Sequence, residues 1–133
     1  MTDYGDALTG PFWEGAVLGE LRLPFCSRCG RAEWYPRPFC LACGGEPRWR
    51  RASGRGLVHS LTVVRVPVLP DLEPPYVVGL IDLDEGPRFL AAVEARPGEV
   101  AIGDRVVVAW RSRVGLPPLA AFRPLSPSGT PSR

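Results

Sequence analysis

Four cysteines within eighteen residues, Cys26-x-x-Cys29-Gly30 and Cys40-x-x-Cys43-Gly44, are the side chains of this 133-residue sequence whose type and spacing specify a chemistry most directly. A two-residue gap lets both thiolates of a pair point at one ion, and the glycine after each pair lets backbone amides turn toward the sulfurs. Two such knuckles separated by ten residues complete a tetrahedral set of sulfurs around Zn2+, with Zn–S distances of about 2.3 Å. An iron tetrathiolate, which would colour the protein, and metal-free thiols or disulfides are the competing readings. Four thiolates leave no open coordination position. Cys26, Cys29, Cys40 and Cys43 are therefore expected to hold a structural Zn2+ that substitutes for a missing core and does not activate water.

The next candidates are cationic. From Arg22 to Arg55 eight arginines face two acids, Glu33 and Glu46, a local balance of +6; residues 1–21 carry −4 and residues 56–133 balance to zero, which gives the overall +2. Arg48, Arg50, Arg51 and Arg55, grouped around Trp49, are candidates to grip phosphate groups and stack on a base. The competing reading is that they decorate a unit with little to bury. All sixteen basic residues are Arg, so Schiff-base and lysine general-base mechanisms are excluded. His59, the single histidine, falls in an expected strand where Ser60 would point to the opposite face, so adjacency does not make a Ser–His pair. Asp82, Asp84 and Glu85, beside the turn Gly86-Pro87, read as solvated edge charges in preference to a cation or acid–base site. No phosphate-binding loop or dinucleotide fingerprint is present, and no catalytic residue is assigned.

Several elements must position these groups. Gly10-Pro11, Glu14 in a first turn, and Phe12, Trp13, Ala16, Val17 and Leu21 on one face predict a short helix from about 11 to 19. Gly15 and Gly19 each cost such a helix about 1 kcal/mol relative to Ala, so it needs packing from elsewhere. Its aromatic face, with Phe12, Trp13 and Val17, is expected to dock, either on its own chain or on another. Residues 22–55 hold the cysteines and little periodicity. Beyond Gly56 the texture becomes β-branched, with strands expected at 57–66, 76–84, 88–95, 105–112 and 119–124. Five short antiparallel strands in some 70 residues are the size of a Greek-key barrel, and the OB fold is the commonest such barrel. The expected organisation is an N-terminal segment with the docking helix (1–21), a zinc ribbon (22–55), the barrel (56–124) and a flexible tail (125–133).

Size and composition bound the rest. A 14.5 kDa chain with 45% hydrophobic and 23% charged residues can bury a core, but it leaves no room for a large metabolic enzyme. The opening MTDYGDALTG lacks the basic start of an export signal, and stretches free of charge reach only about nine residues against the roughly 18–20 that span a bilayer. A cytoplasmic location away from membranes is expected.

The ordered combination PFWEGAVLGELRLPFC, CSRCG, the Pro-Arg-Pro before CLACGG, SGRGLVHSLTVVRVP, PYVVGLIDLDEGPRFLA and IGDRV, running from about Pro11 to Phe122, resembles the acyl-CoA-associated family of zinc-ribbon plus OB-fold proteins long labelled a domain of unknown function. The resemblance implies a mainly β chain with an N-terminal helix, a rubredoxin-like zinc ribbon and a five-stranded OB-fold barrel. It places the zinc ligands at Cys26, Cys29, Cys40 and Cys43 and carries over no catalytic residue. It implies a non-catalytic accessory subunit of a thiolase-superfamily enzyme (a thiolase, an acyl-CoA synthase or a steroid side-chain aldolase) or of a hot-dog-fold enoyl-CoA hydratase. Such a subunit would help shape the partner's acyl-CoA site, with a coenzyme A thioester as a shared ligand. The competing class is a single-stranded nucleic-acid-binding module, which the zero net charge of residues 56–133 and the scattered Tyr76, Phe89, Trp110 and Phe122 disfavour.

Overall fold

A computed structural model of the chain describes residues 5–67 and 72–125. The element order is helix α1 (Gly10–Val17), strands β1 (Arg22–Cys26) and β2 (Pro47–Arg51), then β3 (Arg55–Val64), β4 (Tyr76–Leu83), β5 (Arg88–Val93), β6 (Arg105–Arg113) and β7 (Leu116–Pro124). The five expected strands are β3 to β7. Most of the expected tail, and residues 68–71 of the proline-rich loop after β3, lie outside the described residues.

Strands β3 to β7 form a closed barrel in the order β3-β4-β5-β7-β6, with β6 returning to β3 through Arg55↔Val107, Gly56↔Val106 and Leu57↔Arg105. One expectation is corrected: β5 and β7 run parallel, at Ala92↔Ala121 and Val93↔Phe122. A ring of five strands cannot alternate direction all the way round, so an odd-numbered closed barrel must contain at least one parallel pair. Alternation fills the interior where strands are regular. In β4 Val77, Gly79, Ile81 and Leu83 point inward, and in β5 Phe89, Ala91 and Val93 do the same.

Strands β1 and β2 pair antiparallel from Arg22↔Arg51 to Cys26↔Pro47. Sequence periodicity missed them because each is five residues long and contains a proline, which removes a ladder donor. The helix begins one residue earlier than expected, and Glu14 lies beyond its first turn. The turn before it is set by Asp6, whose Oδ1 accepts from the Thr9 amide (2.9 Å) and hydroxyl (3.0 Å).

Gly15 is a close approach and not only a cost. A Cβ there would lie 2.7 Å from the Glu20 carbonyl oxygen and 2.8 Å from the Arg22 side chain, so the glycine lets the helix settle against the chain that leads into β1. The buried face is Phe12, Gly15 and Ala16. The Phe12 ring centroid is 4.9 Å from Trp34 in the ribbon, 6.0 Å from Phe89 on β5 and 6.5 Å from Trp110 on β6. One aromatic cluster thus joins helix, ribbon and barrel.

Candidate metal centre

The two cysteine pairs sit on knuckles with the same backbone hydrogen-bond pattern. In the first, the Cys26 amide donates to the Arg31 carbonyl and the Gly30 amide to the Cys26 carbonyl, both at 2.9 Å; in the second, Cys40 donates to Gly45 at 2.9 Å and Gly44 to Cys40 at 2.8 Å. Gly30 and Gly44 both have φ +78°, the left-handed conformation that closes each turn and that residues with a Cβ resist. Strand β1 delivers Cys26 at its end, and β2 starts three residues after Gly44. The hairpin pairing therefore brings the knuckles face to face.

The four sulfurs lie within 4.8 Å of one another. Cys26 Sγ is 3.5 Å from Cys43 Sγ and Cys29 Sγ is 3.7 Å from Cys40 Sγ. An ideal tetrahedron with Zn–S of about 2.3 Å has edges of about 3.8 Å, whereas a disulfide needs about 2.05 Å. The donor set fits Zn2+ and does not form disulfides. The amides of Arg28 (3.3 Å) and Cys29 (3.4 Å) point at Cys26 Sγ. The Cys29 amide, then that of Arg28 and the neighbouring thiols, draw the Cys26 thiol down to about 6 against the opposing effect of desolvation. The Arg31 amide also lowers the Cys29 thiol, but desolvation and the surrounding thiols outweigh it and push it up to about 11. The cluster thus has one sulfur ready to ionise and another that needs a cation.

Two supporting residues escaped the sequence analysis. A Cβ on Gly45 would lie 2.7 Å from Cys26 Sγ and 3.4 Å from Cys43 Sγ, so the second glycine of Cys-Gly-Gly makes room for the sulfurs. Glu33 Oε2 accepts from the Leu41 amide at 3.1 Å and ties the first knuckle's exit to the second knuckle. The doubled glycine was a visible signal, and the glutamate gave none.

The structure divides the arginines. Alternation along β2 turns Trp49 toward the core, while Arg48 and Arg50 line a cleft of 450 Å³ with Phe25, Ser27 and Arg28. Arg51 instead lies 3.9 Å from Glu20, and Arg55 belongs to β3. The expected four-arginine group is therefore corrected to Arg48 and Arg50 joined by Arg28. Trp49 is packed against the core and does not stand out as a stacking surface.

The helix also differs from expectation. Phe12 is 4% exposed and is spent on internal packing. Trp13 is partly buried, edge-on to Phe12, with the Arg113 guanidinium 5.7 Å from its ring. Val17 is 50% exposed and leads to Leu18 at 65%. The helix thus presents Glu14 and this aliphatic end to solvent.

His59 sits at a bulge, where the register with β4 shifts between Val58 and Ser60. The bulge interrupts the alternation that would turn Ser60 to the opposite face. Its Nδ1 is 3.3 Å from Asp82 Oδ2, and Arg88 Nε bonds Asp82 Oδ1 at 2.8 Å. Arg105 engages both oxygens of Asp84 at 3.2 Å, and Glu85 Oε2 accepts from the Ser53 amide at 2.8 Å. The three acids are each engaged separately and do not converge on one ligand. Among the described residues the cysteines are the only group with metal-ligating geometry, and no helix is long and apolar enough to cross a membrane.

Comparison with known proteins agrees with both halves of this geometry. The family described as ChsH2, rubredoxin-like zinc ribbon domain, matches residues 13–49, and that described as ChsH2, C-terminal OB-fold domain, matches residues 49–111. A probable enoyl-CoA hydratase alpha subunit of Thermomonospora curvata is 36% identical over 120 residues, which is 87% of this chain and 37% of that protein. The chain thus spans little more than a third of that relative. A DUF35 domain-containing scaffold protein of Methanothermobacter thermautotrophicus is 33% identical over 91 residues, covering 65% of this chain and 68% of that protein. The solved structure titled Ltp2-ChsH2(DUF35) aldolase superposes with a TM-score of 0.84 at 30% identity, over 94% of this chain and 100% of that one. A rubredoxin-like zinc ribbon followed by an OB-fold domain is what the two family descriptions name, and this chain belongs to that family, the ChsH2 or DUF35 zinc-ribbon and OB-fold proteins.

Proposed function

We propose that this chain is a non-catalytic accessory subunit of an enzyme that acts on coenzyme A thioesters, a thiolase-like enzyme or a hot-dog-fold hydratase, and that it helps shape the partner's acyl-CoA site. The observation that carries the reading is the saturated metal centre. Four thiolates on one ion leave no position for substrate or water, so the ribbon stiffens the chain and does no chemistry. The His59–Asp82 pair, Asp84 and Glu85 engage separate local partners and do not converge on one site, which supports placing the nucleophile and the base on the partner. Relatives named as a scaffold, as a hydratase alpha subunit and as part of an aldolase support the same assignment. We place the chain in the cytoplasm, where its thiols stay reduced for metal binding.

Zn2+ would be held by Cys26, Cys29, Cys40 and Cys43, fixing the two knuckles against each other. Val17 at the end of α1 and the capping Leu18 form an exposed apolar patch available to a partner. Phe89 and Phe122 are interior, 6.1 Å apart in an edge-on pair, so these two barrel aromatics do not serve as a stacking surface for nucleic acid.

The test is a tagged pull-down at moderate salt, with mass identification and zinc analysis of what elutes. One coenzyme A thioester enzyme in fixed ratio, together with zinc, is the expected result. Recovery of nucleic acid, or of no enzyme, overturns the reading. Cys40→Ser is expected to lose zinc and with it the partner; a zinc-free variant that still forms the complex removes the structural role of the metal.

A further inference from the structure

We propose that the cleft formed by Phe25, Ser27, Arg28, Arg48 and Arg50 is a phosphate-binding site that takes the diphosphate-bearing nucleotide end of a coenzyme A thioester. The ligand's identity rests on the proposed function, whereas its phosphate chemistry rests on the cleft alone.

Two devices hold the arginines before any ligand arrives. Arg28 Nη1 donates to the Cys43 carbonyl at 3.3 Å, which fixes its guanidinium across the second knuckle. Arg50 sits over Phe25, its Cζ 4.1 Å from the ring centroid, so a cation–π contact holds its position. Neither contact uses a carboxylate; Cys26 and Cys29 of the metal centre also line the cleft, so the arginines offset the negative charge of the thiolates as well as face an incoming anion. Arg48 opposes Phe25 in the hairpin register and meets only the exposed Glu46, at 3.9 Å. The opening holds 450 Å³, room for a diphosphate and part of a nucleoside.

Elsewhere the arrangement differs. On the barrel Arg88, Arg105 and Arg111 are each engaged by a carboxylate at 2.8–3.2 Å. In the ribbon Glu20 meets Arg22 and Arg51, and Glu46 meets Arg48, so the two arginines of this cleft held by a carbonyl and a ring, Arg28 and Arg50, are those without a carboxylate partner among the described residues. Guanidinium forks match phosphate oxygens in planar, two-point geometry, and pre-stacked arginines lose little freedom on binding. Serine at position 27 adds a hydroxyl at the rim. A site of this kind would tether the nucleotide end on the accessory chain and leave the thioester end free for the enzyme.

The experiment is calorimetric titration of the zinc-loaded chain at low salt with coenzyme A, with coenzyme A lacking its 3′-phosphate, and with pantetheine. Coenzyme A is expected to bind, the 3′-dephospho form more weakly, and pantetheine not at all. The double variant Arg48→Ser/Arg50→Ser, and separately Arg28→Ser, should weaken coenzyme A binding by about tenfold or more, the range of a charge-assisted hydrogen bond. Zinc content and melting temperature should not change, and Arg96→Ser on the barrel should bind like the parent chain. Equal binding of pantetheine, or undiminished binding by the double variant, overturns the proposal. Loss of zinc from both variants also overturns it, because the arginines would then serve to balance the negative charge of the tetrathiolate. A single-stranded oligonucleotide preferred over coenzyme A replaces it with a nucleic-acid site. The titration needs no partner enzyme. Coenzyme A binding without capture of an enzyme leaves the cleft standing and removes the accessory role; capture without phosphate-dependent binding does the reverse.

Discussion

Gly45 faces Cys26 across the metal centre so closely that a methyl group at position 45 would lie 2.7 Å from the Cys26 sulfur. A sulfur cannot yield there without leaving the tetrahedron, and the Arg28 Cβ, 3.1 Å from the same point, blocks a sideways escape. Gly45→Ala is expected to weaken zinc binding by about 10- to 100-fold, the range seen when groups supporting a metal ligand are altered. Competition with a chromogenic chelator measures it, and parental affinity in the variant would show that the knuckle yields.

Acid should release the metal below, not at, the pH where the free Cys26 thiol ionises. A thiol held down to about 6 in the fold contributes stability at high pH and loses it as pH falls through that value. Bound metal opposes protonation further, so the midpoint of zinc release is expected below 6, with a slope that reports more than one proton. Zinc release followed against pH checks this, and a midpoint above about 7 contradicts the amide-supported thiolate.

Gly15→Ala should destabilise the chain although alanine is the better helix former. Propensity alone would favour alanine by about 1 kcal/mol, but the added methyl meets the Glu20 carbonyl oxygen at 2.7 Å. A lowered melting temperature with unchanged zinc content is expected. A raised one would mean that α1 shifts freely against β1.

Phe12→Ala and Val17→Asp should separate packing from docking. Truncating the buried ring is expected to cost about 3–5 kcal/mol, read as a loss of melting temperature. Val17→Asp, at a half-exposed position, should leave melting unchanged and weaken co-purification of the partner enzyme. If Val17→Asp retains full partner binding, the helix end is not part of the interface.

The legible parts of this molecule were those written in short-range patterns. Cys-x-x-Cys-Gly fixed the knuckles because two residues and a left-handed glycine define the turn by themselves, and the β-branched runs fixed β3 to β7. Phe12 was placed on a helix face correctly, but its periodicity could not tell whether that face meets Trp34 and Phe89 of the same chain or a different protein. The arginines were harder still. Arg48 and Arg51 are three residues apart, yet strand alternation and the hairpin register send one toward Arg28 and the other toward Glu20. Nothing local in the sequence encodes that separation, just as nothing marks the bulge at His59.

The aromatic cluster around Phe12 also sets an order of assembly. The four metal ligands fall within eighteen residues, so a metal can close the ribbon while most of the chain is still unpaired. Phe12 must wait for Phe89 and Trp110, which follow it by most of the chain's length. Contacts of such long sequence separation form late, because the intervening loop must be ordered first. Until then two indoles and two phenyl rings stay open to solvent, so the growing chain is most aggregation-prone before the barrel closes. A vacant ribbon would prolong that interval, and the metal thereby governs the yield of folded chain as well as its final stability.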